Sequence, residues 1–130
     1  MNEVYAKVHK VSLLGYKTLY FTCNYFIAPI GDEVFAVLGS DRILYTPIDS
    51  EIGKEYAVRI VKKTAWNITK VKVGRIGSNA RYTIPKQFAK QLRISRGDYI
   101  LVLGLEENLH VIPMRHIVEE IGKFKEPKIP

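Results

Sequence analysis

The chain has 130 residues, a hydrophobic fraction of 47% and a charged fraction of 25%, values that are ordinary for a folded domain and too apolar for a disordered chain. A single cysteine excludes an intrachain disulfide and a zinc site built from cysteines. The formal net charge of +7 arises in one segment, because residues 56–96 contain eleven Lys or Arg and no Asp or Glu, whereas 1–55 and 97–130 each carry more acids than bases. Such a one-sign field favours a nucleic-acid or other phosphate-rich partner, with a merely solubilising surface as the alternative.

Membrane and export signals are missing from the sequence. No apolar run approaches the ~18 residues that a membrane-spanning helix requires, and the N-terminus shows no signal-peptide pattern. We therefore expect a cytoplasmic protein without membrane contact.

Strand signals dominate the first half of the chain. Its apolar alternation and its β-branched and aromatic runs predict strands over residues 4–11, 18–22, 33–38 and 42–46. The last two flank Gly39-Ser40-Asp41, a short connection typical of a hairpin. Cys23 lies in an apolar run, which predicts a buried thiol.

The second half mixes strands with two helices. Strands are predicted over residues 56–61, 68–73, 81–84, 99–103 and 109–112. A helix is predicted from Pro85 to Leu92, because proline fits the first helical position and Phe88 and Leu92 fall on one face. Gly97-Asp98 predicts a tight turn, and a second short helix is predicted over 114–121, with an apolar stripe that continues to Phe124.

Residues 70–113 follow the order ββαββ, and this order carries a recognisable motif. The segment resembles the swapped-hairpin domain of the AbrB, MazE and SpoVT families of DNA-binding proteins. The matching residues are Arg81-Tyr82-Thr83-Ile84-Pro85, Lys86, Phe88, Leu92, Ile94, Gly97, Asp98 and Leu109. Ala80 stands where these families have glycine, so either Gly77 or Asn79 takes the positive-φ position, or the loop is reshaped.

The resemblance implies that two units interlock their hairpins into a barrel, which removes exposed strand edges. The second unit could come from a second chain or from the first half of this one. In favour of the first half, residues 31–37 align with 97–103, and Ile43 and Pro47 fall on Leu109 and Pro113. Upstream, Lys7-Val8 aligns with Lys70-Val71, and 18–22 aligns with 81–85. This alignment predicts that the helix of the first half is shorter by about one turn than the helix of the second half. An unrelated β-rich N-terminal domain is the alternative.

The predicted fold class is therefore mainly β: a swapped-hairpin AbrB-like barrel with short helices, either an intrachain pseudo-dimer or a homodimer. The predicted division comprises 1–55 as a degenerate half or small β-rich domain, 56–67 as a basic connecting strand or linker, 68–114 as the AbrB-like unit, and 115–130 as a short helix and flexible tail.

The resemblance also implies a DNA-binding surface around the first hairpin and the helix start. Its expected residues are Lys72, Arg75, Arg81, Lys86, Lys90 and Arg93. Arg75 and Arg81 are the candidates for base edges, because guanidinium can be bidentate, and the lysines are candidates for phosphate. The first half offers only His9, Lys10 and Lys17 there, which predicts one strongly basic and one weakly basic half.

Two aromatic residues lie within the basic segment. Trp66 and Tyr82 could stack on unpaired bases, but for Trp66 we expect packing instead, either in the core, where it closes the barrel, or against the linker, since a large ring is a natural plug for a small core. The three histidines lack ligand spacing, and no catalytic pattern is evident, so we expect no metal, no cofactor and no enzyme activity.

Three functions remain open at this level. The preferred one is binding of double-stranded DNA as a transcription regulator or chromatin-associated protein, with RNA as another possible target. The second is a basic accessory subunit of a nucleoprotein assembly, such as a ribosome or polymerase. The third is an antitoxin that binds a protein partner through residues 115–130.

Overall fold

The computed structural model of the chain describes residues 4–15, 17–62 and 66–123. The first half contains β1 (Tyr5–Lys10), β2 (Ser12–Leu14), β3 (Thr18–Cys23), β4 (Glu33–Leu38), β5 (Ile43–Pro47) and α1 (Glu51–Val61). The second half contains β6 (Ile68–Lys72), β7 (Gly74–Ile76), β8 (Asn79–Ile84), α2 (Lys86–Leu92), β9 (Tyr99–Leu105), β10 (Asn108–Pro113) and α3 (Met114–Lys123). The expectation of a mainly β fold with short helices is confirmed.

The predicted strand over residues 56–61 is wrong, because these residues belong to α1. The helix begins at Ser50, whose side chain accepts a hydrogen bond of 2.9 Å from the backbone N–H of Gly53. Gly53 is required there, since a Cβ at this position would lie 2.1 Å from the carbonyl oxygen of Pro47. Tyr56 and Ala57 pack on a buried cluster formed by Phe35, Val37 and Ile68. The helix therefore starts at the Ser50 cap, and the β-branched run that suggested a strand lies within it.

The strands form two antiparallel sheets. A six-stranded sheet, here called the large sheet, has the order β1-β9-β10-β5-β4-β6, and a four-stranded small sheet has the order β2-β3-β8-β7. In both sheets, strands of the first half pair with strands of the second half. The segments 1–55 and 68–114 are therefore interleaved and do not form separate bodies.

The closed barrel implied by the resemblance is not observed among the described strands. The predicted strand over 68–73 corresponds to β6 of the large sheet, and after buried Val73 the chain continues as β7 of the small sheet. Val11 likewise separates β1 from β2. The chain passes from the large sheet to the small sheet at Val11 and again at Val73. As a result, β1 and β6 are the edge strands of the large sheet, β2 and β7 are the edge strands of the small sheet, and these strands do not close a barrel.

The pairing scheme is unchanged when the two halves are exchanged. Each strand of one half has a counterpart in the other: β1 and β6, β2 and β7, β3 and β8, β4 and β9, β5 and β10. The predicted alignment of 31–37 with 97–103 agrees with this scheme, since Val34 pairs with Pro47 as Ile100 pairs with Pro113.

The predicted alignment upstream is wrong. The registers make Val11 the counterpart of Val73, one residue from the predicted match, and Phe21 the counterpart of Tyr82 rather than Ile84. A shift of two residues keeps the alternation of buried and exposed positions, so the sequence pattern could not detect it. In the first half a helix shorter than α2 by about one turn was predicted, but residues 24–30 form a loop in its place.

Two Gly-Asp turns form hydrogen bonds to Val11 and Val73, the residues at which the chain passes from one sheet to the other. The Val11 N–H donates to the Asp98 carbonyl at 2.8 Å, and the Gly97 N–H donates to the Val11 carbonyl at 2.9 Å. Val73 makes the same two bonds with Asp32 and Gly31, at 2.9 and 2.8 Å. Gly97 and Gly31 adopt φ values of 88° and 93°, a region that strongly favours glycine. The Gly-Asp turn of each half therefore makes two backbone hydrogen bonds to a buried valine of the other half.

The core lies between the sheets around three fully buried rings, Phe21, Tyr45 and Tyr82, whose centroids are 5.4 to 5.7 Å apart. The Tyr45 hydroxyl donates to the Thr83 carbonyl at 2.8 Å, and the Tyr82 hydroxyl donates to the Tyr25 carbonyl at 2.6 Å. Burial raises the pKa of both phenols. Both are thus neutral, hydrogen-bonded members of the core.

Several local predictions are confirmed. Cys23 is buried, and this burial raises the pKa of its thiol to about 11. Helix α2 lies where it was predicted, with Phe88 and Leu92 buried, but it begins at Lys86, and Pro85 is its N-cap rather than its first helical residue. Of the alternatives left open at the turn before β8, Gly77 adopts the positive φ, at 60°. The second predicted helix is α3. Its expected stripe at Phe124 and the tail over 124–130 lie outside the described residues.

Interleaving of the halves predicts that neither folds alone. Fragments 1–65 and 66–130 should each be unfolded or self-associated, because β9, β8 and β6 lose the neighbours β1, β3 and β4. Mixing the fragments should restore the circular dichroism spectrum of the intact chain. The intact chain should melt at a temperature independent of its concentration. A monomeric fragment 66–130 with cooperative unfolding would contradict the interleaved arrangement.

Candidate nucleic-acid interface

Among the described residues, the segments that form the small sheet carry no carboxylate. Residues 4–31 and 56–96 contain no Asp or Glu, and every acid except Glu3 lies within 32–55 or 97–130. The two acid-free segments supply the whole small sheet together with β1, β6 and α2. The acids lie instead in β4, α1 and α3 or in turns beside the strands of the large sheet. Sequence reasoning found the second segment but missed the first, because residues 1–55 were counted as one slightly acidic block.

The outer face of the small sheet is polar along its central strands, whereas Leu14 and Ile76 are exposed apolar residues on its edge strands. In β8, Ala80, Tyr82 and Ile84 point into the core, so Asn79, Arg81 and Thr83 face outward and are half-buried. The register sets Arg81 opposite Thr22 of β3 and Thr83 opposite Tyr20. Arg81 therefore shares this face with the hydroxyl-bearing side chains of Thr22 and Thr83. Such groups can donate to phosphate oxygens and to the acceptors of base edges.

Arg81 lies across the neighbouring edge strand. A Cβ added to Gly74 of β7 would approach Nε and Nη2 of Arg81 to 2.7 Å, so the guanidinium occupies the space that a larger residue would fill. No carboxylate bonds to Arg81 within the part of the chain that the structure describes. Gly74 therefore allows the position of Arg81, and the charge of Arg81 is available to a ligand.

The other predicted contacts are distributed unequally. Arg75 is exposed on β7 but pairs with Ala80, so it leaves the strand on the face opposite to Arg81. Lys86 and Lys90 are exposed on α2, which directly follows β8. The register thus separates Arg81 from Arg75, and the two lysines lie on the helix that follows β8 in the chain.

Lys72 and Arg93 are separated from this group. Lys72 lies in the large sheet opposite Glu33, and Glu33 also lines a cavity of about 420 Å³ with Asp32, Asp49 and Glu107. Arg93 ends α2 in the left-handed conformation, and its carbonyl accepts from the guanidinium of Arg115. Because carboxylates repel phosphate, Lys72 is the least suitable of the six predicted contacts.

The two halves of the small sheet differ in charge. The counterpart of Arg81 is Tyr20, and the counterpart of Arg75 is Leu13. Lys17, in the turn between β2 and β3, is the described basic residue nearest to these strands in sequence. Charge is therefore concentrated on the β7–β8 half.

The aromatic residues of the basic segment have opposite environments. Tyr82 is fully buried, so stacking of its ring on a base is excluded. Trp66 is 79% exposed, and the prediction that it packs in the core is wrong. It follows α1 and precedes β6, and neither sheet covers it.

Two histidines take part in local contacts. The Nε2 atom of His9 lies 2.8 Å from the Tyr5 hydroxyl, and Nδ1 of His110 lies 3.4 Å from Nη1 of Arg42. Burial lowers the pKa of both imidazoles. Across the described ranges, no three His, Cys, Asp or Glu side chains are grouped to hold a metal ion. No helix there is long and apolar enough to cross a bilayer.

Comparison of the chain with family models, curated proteins and solved structures gave no match. The resemblance to the AbrB, MazE and SpoVT families therefore rests on the residues quoted above and on no independent similarity.

The contact between Gly74 and Arg81 predicts an indirect effect on binding. Gly74→Ala should displace the flexible end of Arg81 and lower affinity for duplex DNA by about tenfold, since a bidentate arginine contact contributes about 1–3 kcal/mol. The free energy of unfolding should change by less than about 1 kcal/mol, because Gly74 has no positive φ. Fluorescence anisotropy and urea denaturation would measure the two quantities.

A double-mutant cycle provides the control for this prediction. If Gly74→Ala acts through Arg81, then adding it to Arg81→Ala should cause no further loss of affinity. Additive losses would show that Gly74 affects binding by another route.

Proposed function

We propose that the chain binds nucleic acid through the outer face of the small sheet and the adjoining helix α2, with double-stranded DNA as the preferred partner. The observation that carries this proposal is the convergence of both acid-free segments on the small sheet. Two distant stretches of sequence contribute to the same carboxylate-free surface. A polyanion is the ligand that such a surface attracts best.

The proposed architecture is an AbrB-like, swapped-hairpin pseudo-dimer within one chain, produced by internal duplication. The exchange symmetry of the strand pairing supports it, and so do the equivalent Gly-Asp turns at residues 31–32 and 97–98. In this arrangement each half completes the sheets of the other, so a second chain is not needed to cover the interleaved strands. The preferred role is that of a transcription regulator or chromatin-associated protein without enzymatic activity.

Within this proposal the residues have distinct roles. Arg81, central on the outer face, would contact a base edge or enter a groove, because its planar fork can make two parallel hydrogen bonds. Lys86 and Lys90 would contact phosphates and set the orientation of the duplex. Thr22 and Thr83 would add hydroxyl contacts beside Arg81.

One observation favours a second candidate, a basic accessory subunit that contacts RNA or DNA without sequence preference. Tyr20 occupies the position that corresponds to Arg81, so a two-fold operator would meet arginine in only one half-site. A protein that uses only charge would tolerate this difference.

Arg81→Lys separates these two candidates. For a specific regulator, this change should cost about 1–3 kcal/mol at the preferred site and little on random DNA, because it keeps the charge and removes the planar fork. Selection from a random duplex library would identify the preferred site, and titrations at matched salt would measure both affinities. Arg42→Lys, in the turn between β4 and β5 beside Asp41, is the matched control. Small, equal losses on both duplexes would leave the accessory subunit as the better account.

Replacement of the lysines of α2 tests the interface itself. Lys86→Ala and Lys90→Ala should weaken binding to all duplexes alike. Each lost phosphate contact should reduce the slope of log Kobs against log salt by about 0.9. Lys54→Ala, exposed on α1 beside Glu55, should leave the slope unchanged. Unaltered slopes for the two α2 variants would show that nucleic acid binds elsewhere or not at all.

A further inference from the structure

A groove adjoins the exposed ring of Trp66. It encloses about 360 Å³ between the hairpin that joins β4 to β5, Trp66 and the end of α2, and its lining residues are Leu38, Gly39, Ser40, Trp66, Gln91 and Leu92. Leu38 and Leu92 are almost completely buried, so the floor is apolar. Ser40 and Gln91 supply polar groups. An apolar floor, an aromatic wall and polar groups together suit a flat heteroaromatic ring.

The position of Trp66 is fixed through the next residue. The backbone N–H of Leu38 donates to the Asn67 carbonyl at 2.9 Å, and the side-chain amide of Asn67 donates to the Leu38 carbonyl at 2.9 Å. These two bonds tie Asn67 to the end of β4. Trp66 is therefore displayed beside the groove from an anchored backbone, although its side chain is 79% exposed.

The corresponding place in the other half is already filled. The counterpart of Leu38 is Gly104, and a Cβ on Gly104 would lie 2.8 Å from ring atoms of Tyr25. The Tyr25 ring lies 5.7 Å from the Tyr5 ring, and its hydroxyl donates to the Glu106 carbonyl. Tyr25 comes from the loop that replaces α2. One half thus places its own aromatic ring in this position, whereas the other half leaves the space open beside Trp66.

Basic residues are close in sequence to the lining residues of the open groove, and such residues suit a phosphate-bearing ligand. Lys62 ends α1 four residues before Trp66, and Lys90 and Arg93 flank the lining residues Gln91 and Leu92. Asp41, next to Ser40, is engaged by the guanidinium of Arg42 at 2.9 Å. A nucleotide is the ligand class that combines an aromatic ring with a negative charge.

We propose that this groove receives one unpaired nucleobase, stacked on Trp66, from the nucleic acid that the small sheet and α2 bind. This inference rests on the proposed function and extends it, because the partner would be a duplex with an adjoining single-stranded segment. The ends of α2 connect the two sites: Lys86 lies beside the small sheet, and Gln91 lies in the groove. Ser40 and Gln91 would hydrogen-bond to the base edge, and Lys62 and Lys90 would be near its phosphates.

Because Trp66 is the single tryptophan of the chain, its fluorescence reports directly on the groove. The probes are a blunt duplex and the same duplex with a short single-stranded thymidine extension. The extension should raise affinity by about tenfold and quench the emission of Trp66, whereas the blunt duplex should bind without quenching. Trp66→Leu, which keeps apolar area and loses the indole, should remove the gain from the extension. Trp66→Phe should retain part of it.

Controls separate this inference from the proposed function. Val61→Ala, at a site that is 81% exposed and lacks a ring, should behave as wild type on both probes. Circular dichroism and sedimentation of Trp66→Leu should match wild type. If the blunt duplex binds but the extension adds neither affinity nor quenching, the base site is wrong and the proposed function stands. If neither probe binds, both are wrong. If Trp66→Leu changes only the state of association, the groove is a protein contact.

Discussion

The structure depends on two buried valines at which the chain passes from one sheet to the other. Val11 and Val73 are each held by two backbone hydrogen bonds from a Gly-Asp turn of the opposite half. A buried backbone group left without a partner costs about 1–3 kcal/mol, so each half needs the turn of the other to make its crossing. Gly31 and Gly97 supply the positive φ that these turns require. The interleaved order of both sheets follows from this reciprocal arrangement.

The same topology separates the charges. In each half, the segment before the Gly-Asp turn, 4–31 or 56–96, is free of acids, and the segment after it carries them. Because the crossings send the first hairpin of both halves to the small sheet, the acid-free segments meet there, and the carboxylates gather around the large sheet. Among the described residues, the small sheet thus has no acid and carries Arg75 and Arg81, whereas the large sheet combines the carboxylates with lysines of its edge strands β1 and β6.

Differences between corresponding positions concentrate where a ligand could bind. The crossings and the central pairs are alike in the two halves, but Arg81 corresponds to Tyr20, helix α2 to a loop, and the open groove at Trp66 to a space filled by Tyr25. The shared strand pairing can tolerate such changes, because they affect surface side chains and a segment between strands and leave the paired backbone intact. The half that contains α2 therefore carries Arg81, the exposed lysines of α2 and the open groove at Trp66.

Local patterns in the sequence were sufficient for the elements whose signals are local. The alternation over 33–38 and 68–73, the Gly-Asp turns and the helix after Pro85 depend on neighbouring residues, and the structure confirms them. The helix over 51–61 was missed, because its β-branched end suggests a strand while its cap and its packing on Phe35 decide otherwise. Strand register and sheet order decided three features that the sequence did not. These are the face that carries Arg75, the exposure of Trp66, and the contribution of residues 4–31 to the acid-free small sheet. These depend on contacts between residues far apart in the sequence, which no local pattern specifies.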